Sequence, residues 1–429
     1  MMGWRSPPRA NSNSKFVFFL LVVLLFLDGL PTGASFVTTD TTIRNAAATA
    51  TIAVSVFPLF LSRNDPTAKK GSMGSVFTEQ LTSKSGLPVC KYALGGAARS
   101  TQPTGLVHDY CDNIRRHFKD GERIKMAPFL FYYNPHRYPD FMKGIREIVQ
   151  GDSDNDANCD SGTNRWKREN LFLASGGTDR SESGMEQRLS DALAYSGEEY
   201  LDMFVLEYVS PDEVENDLES IKSALIKARS WVNEGRVRYV AASTHSHRVG
   251  ARLGSLRSDS EGENKGGIQR DRSCPPLLDA MMLRYNMAHK TAAESISFPV
   301  CAELRIPCLA FTTTRWNRLQ AGHPTMTNGS GGDDEDEAVH RQSRPPTTTE
   351  CLSFALSPSF PFGKPSAPWP VEIVLHSARS TDELNEAMDC LSPSSIMTAN
   401  EARKWRGYGD LEWNDLDGFD EFPEEQNEA

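Results

Sequence analysis

The sequence lacks cysteine pairs with CxxC spacing, although it contains eight cysteines in 429 residues. They are scattered along the chain as Cys90, Cys111, Cys159, Cys274, Cys301, Cys308, Cys351 and Cys390. This spacing excludes a zinc ribbon and is not that of a disulfide framework. We therefore expect reduced, buried thiols.

The sequence also has no excess of basic residues. Its net charge is −11. Nine acidic residues and no basic residue stand between Asp410 and Glu428, so most of the imbalance belongs to the end of the chain. The rest is nearly neutral, which argues against a nucleic-acid-binding protein. We expect residues 396–429 to form an acidic tail that is either solvated or docked through its aromatic residues, and a basic partner would suit it.

No apolar run predicts a stable membrane span in the mature chain. Phe16–Leu27 follows basic residues and is too short to cross a bilayer comfortably, but it suits the core of a signal peptide over residues 1–35. Residues 36–75 are rich in Ser, Thr and Ala. The two segments together resemble the bipartite presequences of algae with secondary plastids, which predicts a plastid location; an ordinary secretory signal or signal anchor is the alternative.

A strand–helix–strand pattern occupies residues 201–247. The apolar runs Leu201–Leu206 and Tyr239–Ala242 flank a segment whose apolar residues recur at helical spacing. Parallel strands need such a crossover helix. The second run ends in Ser243, Thr244, His245 and His247, which places these polar side chains at the carboxyl end of a strand, where parallel sheets bind ligands.

The same pattern recurs along residues 76–395. Eight strand candidates are Leu87–Leu94, Pro128–Tyr133, Asn170–Ala174, Leu201–Leu206, Tyr239–Ala242, Leu277–Leu283, Pro307–Phe311 and Glu372–Leu375. Helical patterns between or after them include Leu106–Phe118, Phe141–Val149, Met185–Tyr195, Met287–Ser297 and Thr381–Leu391. Eight alternations predict an α/β fold of the (β/α)8 TIM-barrel type. The first strand ends in Gly95-Gly96-Ala97-Ala98, which is not the GxGxxG of an open dinucleotide-binding sheet.

Two stretches interrupt this pattern and are predicted to be mobile loops. Residues 255–273 are rich in Ser, Gly and charge, and residues 322–350 carry a run of acidic residues. Neither has enough apolar surface to order itself.

Four phrases in order resemble the aldo-keto reductase family: YLDMFVLEYV, EGRVRYVAAS, LLDAMMLRYN and VLHSARSTDELNEAM. The likeness covers roughly residues 80–395. It implies a TIM barrel that transfers a hydride between NADPH and the carbonyl or alcohol group of a small-molecule substrate. The family uses a tyrosine supported by an aspartate, a lysine and a histidine.

Only part of that catalytic set is carried over. Tyr138 matches the tyrosine, whereas Tyr133 stands at the aspartate position, no lysine stands near Ser175-Gly176, and Glu207 replaces the histidine. A phenol with a pKa near 10 needs a close cation to exchange a proton at neutral pH. The candidate catalytic residues are therefore Tyr138, Glu207 and His245.

The cofactor side of the resemblance is better preserved. Ser243 and Thr244 stand where the family holds the nicotinamide amide, and Arg284 precedes Tyr285-Asn286. After the last strand, the segment that the resemblance assigns to the adenosine 2′-phosphate of NADP contains Ser377, Arg379 and Ser380, with Glu383 downstream. An Arg side chain can fork onto a phosphate. Arg284 and Asn286 complete the predicted cofactor contacts.

Three functional interpretations stay open. In the first, a diverged reductase uses Tyr138 or a histidine as proton donor, with Glu207 keeping His245 or His247 protonated. In the second, the chain binds NADPH without turnover or serves as a scaffold. In the third, Glu207, His245 and His247 form a metal site.

Overall fold

The computed structural model describes residues 77–96, 102–116, 125–132, 138–150, 166–257, 275–322, 344–357 and 369–411. The predicted presequence, the centres of both predicted loops and residues 412–429 lie outside these ranges, so the predictions made for them stay predictions. Within the described ranges, no helix combines the length and the apolar character that crossing a bilayer requires.

Nine strands form one sheet. They are β1 (Phe77–Thr82), β2 (Pro88–Gly95), β3 (Ala127–Tyr132), β4 (Phe172–Gly177), β5 (Leu201–Leu206), β6 (Val237–Thr244), β7 (Ala280–Arg284), β8 (Cys308–Phe311) and β9 (Val371–His376). Strands β2 to β9 are parallel to their neighbours, and β9 pairs with β2, so these eight strands close into a barrel. The predicted (β/α)8 TIM barrel is therefore confirmed.

Helices connect most of these strands. In the described ranges they are α1 (Gly105–Arg116), α2 (Pro139–Gln150), α3 (Glu182–Ser196), α4 (Pro211–Asn216), α5 (Leu218–Asn233), α6 (His247–Gly254), α7 (Phe298–Leu304), α8 (Arg318–Ala321), α9 (Thr348–Leu356), α10 (Thr381–Met388) and α11 (Ala399–Gly409). Their apolar faces pack outside the strands.

Two hydrophobic cores follow from the alternation of side chains along each strand. The inner core fills the barrel with residues such as Phe129, Phe172, Val205 and Met282, and the outer core lies between the strands and the helices. The six described cysteines are free thiols and all are buried, as predicted. Burial raises the pKa of the Cys90 thiol to about 11, which keeps it protonated.

Strand β1 was not predicted. It pairs antiparallel with β2, and Leu81 from β1 joins the inner core. Its sequence FTEQLT is short and half polar. Because an antiparallel strand of this kind needs no crossover helix, it leaves no helix–strand alternation for the sequence to display.

One helix prediction and one loop prediction needed correction. Met287–Ser297 was expected to be helical, but residues 287–290 form a turn, and a π-helical turn, Ala293–Ser297, precedes α7. The Asn286 side chain accepts hydrogen bonds from the backbone N–H groups of Ala288 and His289, which delays the helix. Helix α9 lies at the end of the stretch predicted as a loop. Thr347 and Glu350 form a capping box at its start.

The first part of the predicted acidic tail is an ordered helix. Thr398 and Glu401 form a capping box at the start of α11, and Trp405 and Tyr408 are buried. Of the two alternatives for the tail, docking through an aromatic residue holds for residues 399–409, where Trp405 is buried, and both stay predictions for residues 412–429. The acidic residues that suggested it stand almost entirely beyond the helix.

A buried carboxylate ties the amino ends of the strands together. Asp202 in β5 is fully buried and accepts hydrogen bonds from Arg168 at 2.7 Å, Arg238 at 2.8 Å and the backbone N–H of Leu173 at 2.9 Å. Arg238 also donates to the carbonyl of Thr82 in β1. Two guanidinium groups thus compensate one buried charge.

Candidate active site at the mouth of the barrel

The carboxyl ends of β2–β9 and the loops that follow them form the barrel mouth. Strand pairing sets Gly176 beside Val205, Ser243 beside Met282 and Arg284 beside Phe311. Val205 and Met282 belong to the inner core. Since side chains alternate along a strand, Glu207 comes next on the inner face, two residues beyond Val205.

Glu207 is the most unusual side chain of the mouth. Only 2% of its surface is exposed, and neither carboxyl oxygen has a hydrogen-bond partner among the residues described. Its backbone N–H donates to the carbonyl of Gly177. A Cβ placed on Gly176 would lie 2.8 Å from Glu207 Oε1 and 2.1 Å from the carbonyl oxygen of Val205. The carboxyl group thus lies where a larger residue at position 176 would intrude.

Two arginines lie near Glu207 and donate hydrogen bonds to neighbouring oxygen atoms. Arg180 donates to the Glu207 carbonyl at 2.6 Å and to the Glu213 carboxylate, while Arg188 donates to the Gly176 carbonyl at 2.6 Å. Burial raises the pKa of Glu207 well above its usual value, and the two positive charges offset this only in part. Burial therefore favours the protonated, neutral form of this carboxyl group.

The raised pKa predicts a characteristic pH dependence of stability. An unfolded Glu releases its proton near pH 4.3, whereas folded Glu207 retains it, so the free energy of unfolding should fall by up to about 1.4 kcal/mol per pH unit between the two pKa values. Glu207→Gln removes this loss. Its melting temperature should rise relative to the wild type as the pH increases from 5 to 8.

A control of opposite sign is available on α3. The Arg236 hydrogen bond lowers the pKa of Glu186, so its stabilising effect is present at neutral pH and is lost as the pH falls through that pKa. Glu186→Gln should therefore be less stable than the wild type at neutral pH and approach it in acid. A Glu207→Gln difference that stayed constant with pH would show that Glu207 is ionised.

His245 forms part of an aromatic wall at the mouth. Its ring is stacked on Tyr208, with centroids 5.8 Å apart and planes at 24°, and it meets Phe311 edge-on at 5.0 Å. No hydrogen bond joins this imidazole to the Glu207 carboxyl oxygens. The hypothesis that Glu207 keeps His245 protonated is therefore not supported. His245 supplies a ring to the wall.

His247 makes its side-chain hydrogen bond to Ser297, and no hydrogen bond joins it to the Glu207 carboxyl oxygens. It begins α6, is 6% exposed, and its Nδ1 lies 3.1 Å from Ser297 Oγ. Burial, and then the charge of Arg284, lower the pKa of His247 to about 4, so the ring is neutral. In the described part of the chain, no three His, Cys, Asp or Glu side chains are placed to hold a metal ion. The hypothesis of a Glu207–His245–His247 metal site is therefore wrong.

Tyr138 lies at the start of α2 and belongs to the outer core. It is 6% exposed, and its ring covers the backbone of Gly96, where an added Cβ would be 3.0 Å from the Tyr138 ring. Its carbonyl accepts a hydrogen bond from the Met142 N–H. The ring therefore packs between the end of β2 and α2, while Tyr133 lies outside the described residues.

The predicted nicotinamide contacts are engaged within the protein. The Ser243 hydroxyl accepts from the Tyr208 N–H at 2.9 Å. The fully buried Thr244 hydroxyl donates to the Val209 carbonyl and accepts from the Ser246 N–H. The Asn286 amide, also fully buried, donates to the Thr312 carbonyl. These three side chains shape the mouth loops, whereas Arg284 ends β7 on the inner face.

In the segment after β9, unlike the buried side chains just described, Arg379 is exposed. Ser380 caps α10 by accepting from the Glu383 N–H, and the Glu383 carboxylate accepts from the Arg379 backbone N–H at 3.0 Å. Ser377 Oγ donates to the Gly96 carbonyl. Glu383 thus orders the backbone around Arg379 and leaves the guanidinium at the surface.

The loop after β8 contains polar groups that sequence reasoning did not assign to the cofactor. The hydroxyls of Thr312 and Thr313 are buried and have no hydrogen-bond partner within the described ranges. Arg315, Trp316 and Asn317 all have positive φ, between 51° and 65°. Such strain in non-glycine residues persists only where the surroundings enforce it. Arg315 is buried, and Trp316 is 49% exposed.

Comparison with solved structures places this arrangement among known barrels. The chain is similar to an aldo-keto reductase from Bacillus halodurans in its holo form, with 14% identity over 77% of this chain and 96% of that chain, and a TM-score of 0.51. The apo form gives a TM-score of 0.49 at 14% identity, with the same coverage. An aldose reductase from Giardia lamblia gives 0.45 at 11% identity, covering 77% of this chain and 94% of that chain.

The first of these matches supports the fold alone, since the identity is low. No protein-family model matches the chain, and no curated protein matches it either. The functional assignment therefore depends on the geometry of the mouth.

Proposed function

We propose that this protein is an NADP(H)-dependent oxidoreductase of the aldo-keto reductase type, which reduces the carbonyl group of a small molecule at the barrel mouth. The observation that carries the proposal is the buried carboxyl group of Glu207, whose two oxygens have no hydrogen-bond partner among the described residues and whose pKa is raised by burial. A carboxylic acid kept neutral at pH 7 can donate a hydrogen bond or a proton to a carbonyl oxygen. It would take over the role that the resemblance gives to tyrosine and lysine.

The bound cofactor would supply the hydride to the carbonyl carbon. Glu207 would donate its proton to the carbonyl oxygen as negative charge develops there. The resulting carboxylate would be stabilised by the nearby charges of Arg180 and Arg188, which lie close enough to lower the pKa of Glu207. The rings of Tyr208, His245 and Phe311 would exclude water from one side of the substrate.

The residues present fit the phosphate-bearing half of such a cofactor. Thr312 and Thr313 have buried hydroxyls with no partner in the described part of the chain, and such groups suit the acceptor oxygens of a phosphate. Arg379 offers an exposed guanidinium beside the start of α10, which favours an anion. In the proposed assignment, Ser377 and Ser380 flank this arginine and Glu383 positions its backbone.

Arg379→Ala should weaken NADPH binding much more than NADH binding, because only NADPH carries the 2′-phosphate. Hydrogen bonds to charged groups are worth about 1.5–3 kcal/mol, so the dissociation constant for NADPH should rise by at least about tenfold. Fluorescence titration with both cofactors measures the difference. Equal weakening of NADH and NADPH would exclude a 2′-phosphate contact, and Arg403→Ala on α11 is the matched surface control.

The second candidate is a barrel that binds NADPH without turnover. It is favoured by the engagement of Ser243, Thr244 and Asn286 in internal hydrogen bonds, which leaves the nicotinamide half with fewer protein contacts. Steady-state assays with NADPH and a set of aldehydes and quinones separate the two candidates. Cofactor binding without any oxidation of NADPH would favour the binding protein.

A further inference from the structure

We propose that the C-terminal helix α11 is a positioning element of the barrel mouth, which holds the loops after β7 and β8 in place for substrate and cofactor. This inference rests on the proposed function for its kinetic consequence. Its structural core rests on contacts alone. Residues 285–290 are called the β7 loop and residues 312–321 the β8 loop.

The end of α11 lies directly against the β7 loop. A Cβ added to Gly409 would be 2.0 Å from the carbonyl oxygen of Met287 and 2.9 Å from the backbone nitrogen of Ala288. Both neighbours are backbone atoms, so they cannot move aside as a flexible side chain would. The absence of a side chain at position 409 is therefore what permits the helix to approach the loop this closely.

A buried lysine reinforces the same contact. Lys290 is 3% exposed, and its ammonium group donates to the Met287 carbonyl and to the carboxylate of Asp410. Asp410 is the residue that ends α11. If the helix moved away, the ammonium would lose its counter-charge while still buried, which is strongly unfavourable. The β7 loop and the end of α11 are therefore expected to move together.

A second ion pair joins the middle of α11 to the same region. Arg406 binds both carboxylate oxygens of Glu294, at 2.7 and 2.6 Å. Glu294 also accepts a hydrogen bond from the hydroxyl of Tyr285, the first residue after β7. A bidentate pair of this type fixes orientation as well as distance.

The helix also holds the β8 loop. The buried Tyr408 hydroxyl donates to the Leu319 carbonyl at 2.7 Å, and Leu319 lies in α8 at the end of that loop. The two loops are joined to each other by the Asn286 amide, which donates to the Thr312 carbonyl. Helix α11 thus contacts two consecutive loops of the mouth. The β7 loop carries Asn286, and the β8 loop carries the Thr312–Asn317 segment.

Hydrogen–deuterium exchange of the full-length protein tests the structural part. Gly409→Ala should raise the exchange rate of amides in both the β7 and the β8 loop by about tenfold or more, because the added methyl group displaces the helix end. Arg403→Ala is the matched control, since Arg403 lies on the exposed face of the same helix and its side chain donates a hydrogen bond to Asn400 one turn earlier. It should leave both loops unchanged.

Two milder variants cover the case in which Gly409→Ala does not fold. Tyr408→Phe should increase exchange mainly in the β8 loop, and Asp410→Asn mainly in the β7 loop. Loop exchange equal to the wild type, with faster exchange only in α11 itself, would overturn the proposal. This readout requires no turnover, so it decides the inference even if the proposed reductase function fails.

Steady-state kinetics distinguish a helix that positions the mouth loops from one that only stabilises the fold. With a carbonyl substrate, Asp410→Asn should raise KM severalfold while kcat changes less, since Glu207 directly follows β5, whereas α11 contacts the β7 and β8 loops. Asp410→Glu should recover much of the loss because it restores the charge beside Lys290. A lowered melting temperature with unchanged KM would show that the helix only stabilises the fold, which would contradict the proposal.

Discussion

Replacing Glu207 by Gln should lower kcat for carbonyl reduction by about 10²–10⁴-fold, the range that a positioned general acid contributes. The substitution conserves the shape of the side chain and removes only the transferable proton. Because burial raises the pKa of Glu207 and favours its protonated form, the variant should be at least as stable as the wild type at pH 7. Loss of rate without loss of stability would identify the proton donor.

Tyr138→Phe is the control variant for this experiment, because it removes the hydroxyl of the alternative proton donor. Tyr138 packs against Gly96 in the outer core, and Phe preserves that packing. If Glu207 is the donor, the Phe variant should keep most of its activity. A large loss in Tyr138→Phe together with normal activity in Glu207→Gln would assign the proton to the tyrosine and contradict the proposal.

Removing Asp202 should destabilise the protein by about 3–5 kcal/mol, the effect of breaking a buried ion pair by deleting one partner. Asp202→Ala would leave Arg168 and Arg238 without their shared carboxylate and Leu173 N–H without its acceptor. Urea denaturation at pH 7 measures the loss. The activity of the folded fraction should be retained, because this network lies at the amino ends of the strands.

Asp202→Asn provides the graded control. It retains an acceptor for the Leu173 N–H but removes the charge that the two guanidinium groups share, so its loss should fall between those of the wild type and Asp202→Ala. An Ala variant as stable as the wild type would show that the two arginines are satisfied by their other partners.

The barrel was predictable because eight apolar runs alternate with helical patterns along the chain. The predicted Leu201–Leu206 coincides with β5, and the predicted Tyr239–Ala242 lies within β6. Strand β1 escaped prediction because it is short, half polar and antiparallel. Helix α11 was not predicted because the acidic residues beyond it indicated a tail. The T-x-x-E pattern at Thr398 is a capping-box pattern and does indicate a helix start.

The position of Glu207 at the barrel mouth was predictable, but its raised pKa was not. Glu207 was selected because it stands where the resemblance places a histidine. Its raised pKa depends first on burial and then on the distance of the Arg188 and Arg180 charges, which no local pattern encodes. Alternation along β6 could have separated Ser243, on the inner face, from Thr244, whose side chain turns outward.

The strained turn after β8 could not have been predicted from sequence. Arg315 and Trp316 adopt a left-handed conformation that their residue types do not favour, and only Asn317 is a common occupant of it. The contacts that the folded loop makes with its surroundings, including Asn286 and α11, impose this conformation. The residue types of the loop alone do not predict it.

The most direct test of the account is the protonation state of Glu207, measured by infrared difference spectroscopy between the wild type and Glu207→Gln at pH 7. A neutral Glu207 predicts a carbonyl stretching band of a protonated carboxylic acid in the wild type, which disappears in the variant and shifts on transfer to D₂O. A difference spectrum that contains instead the paired bands of an ionised carboxylate would contradict the account.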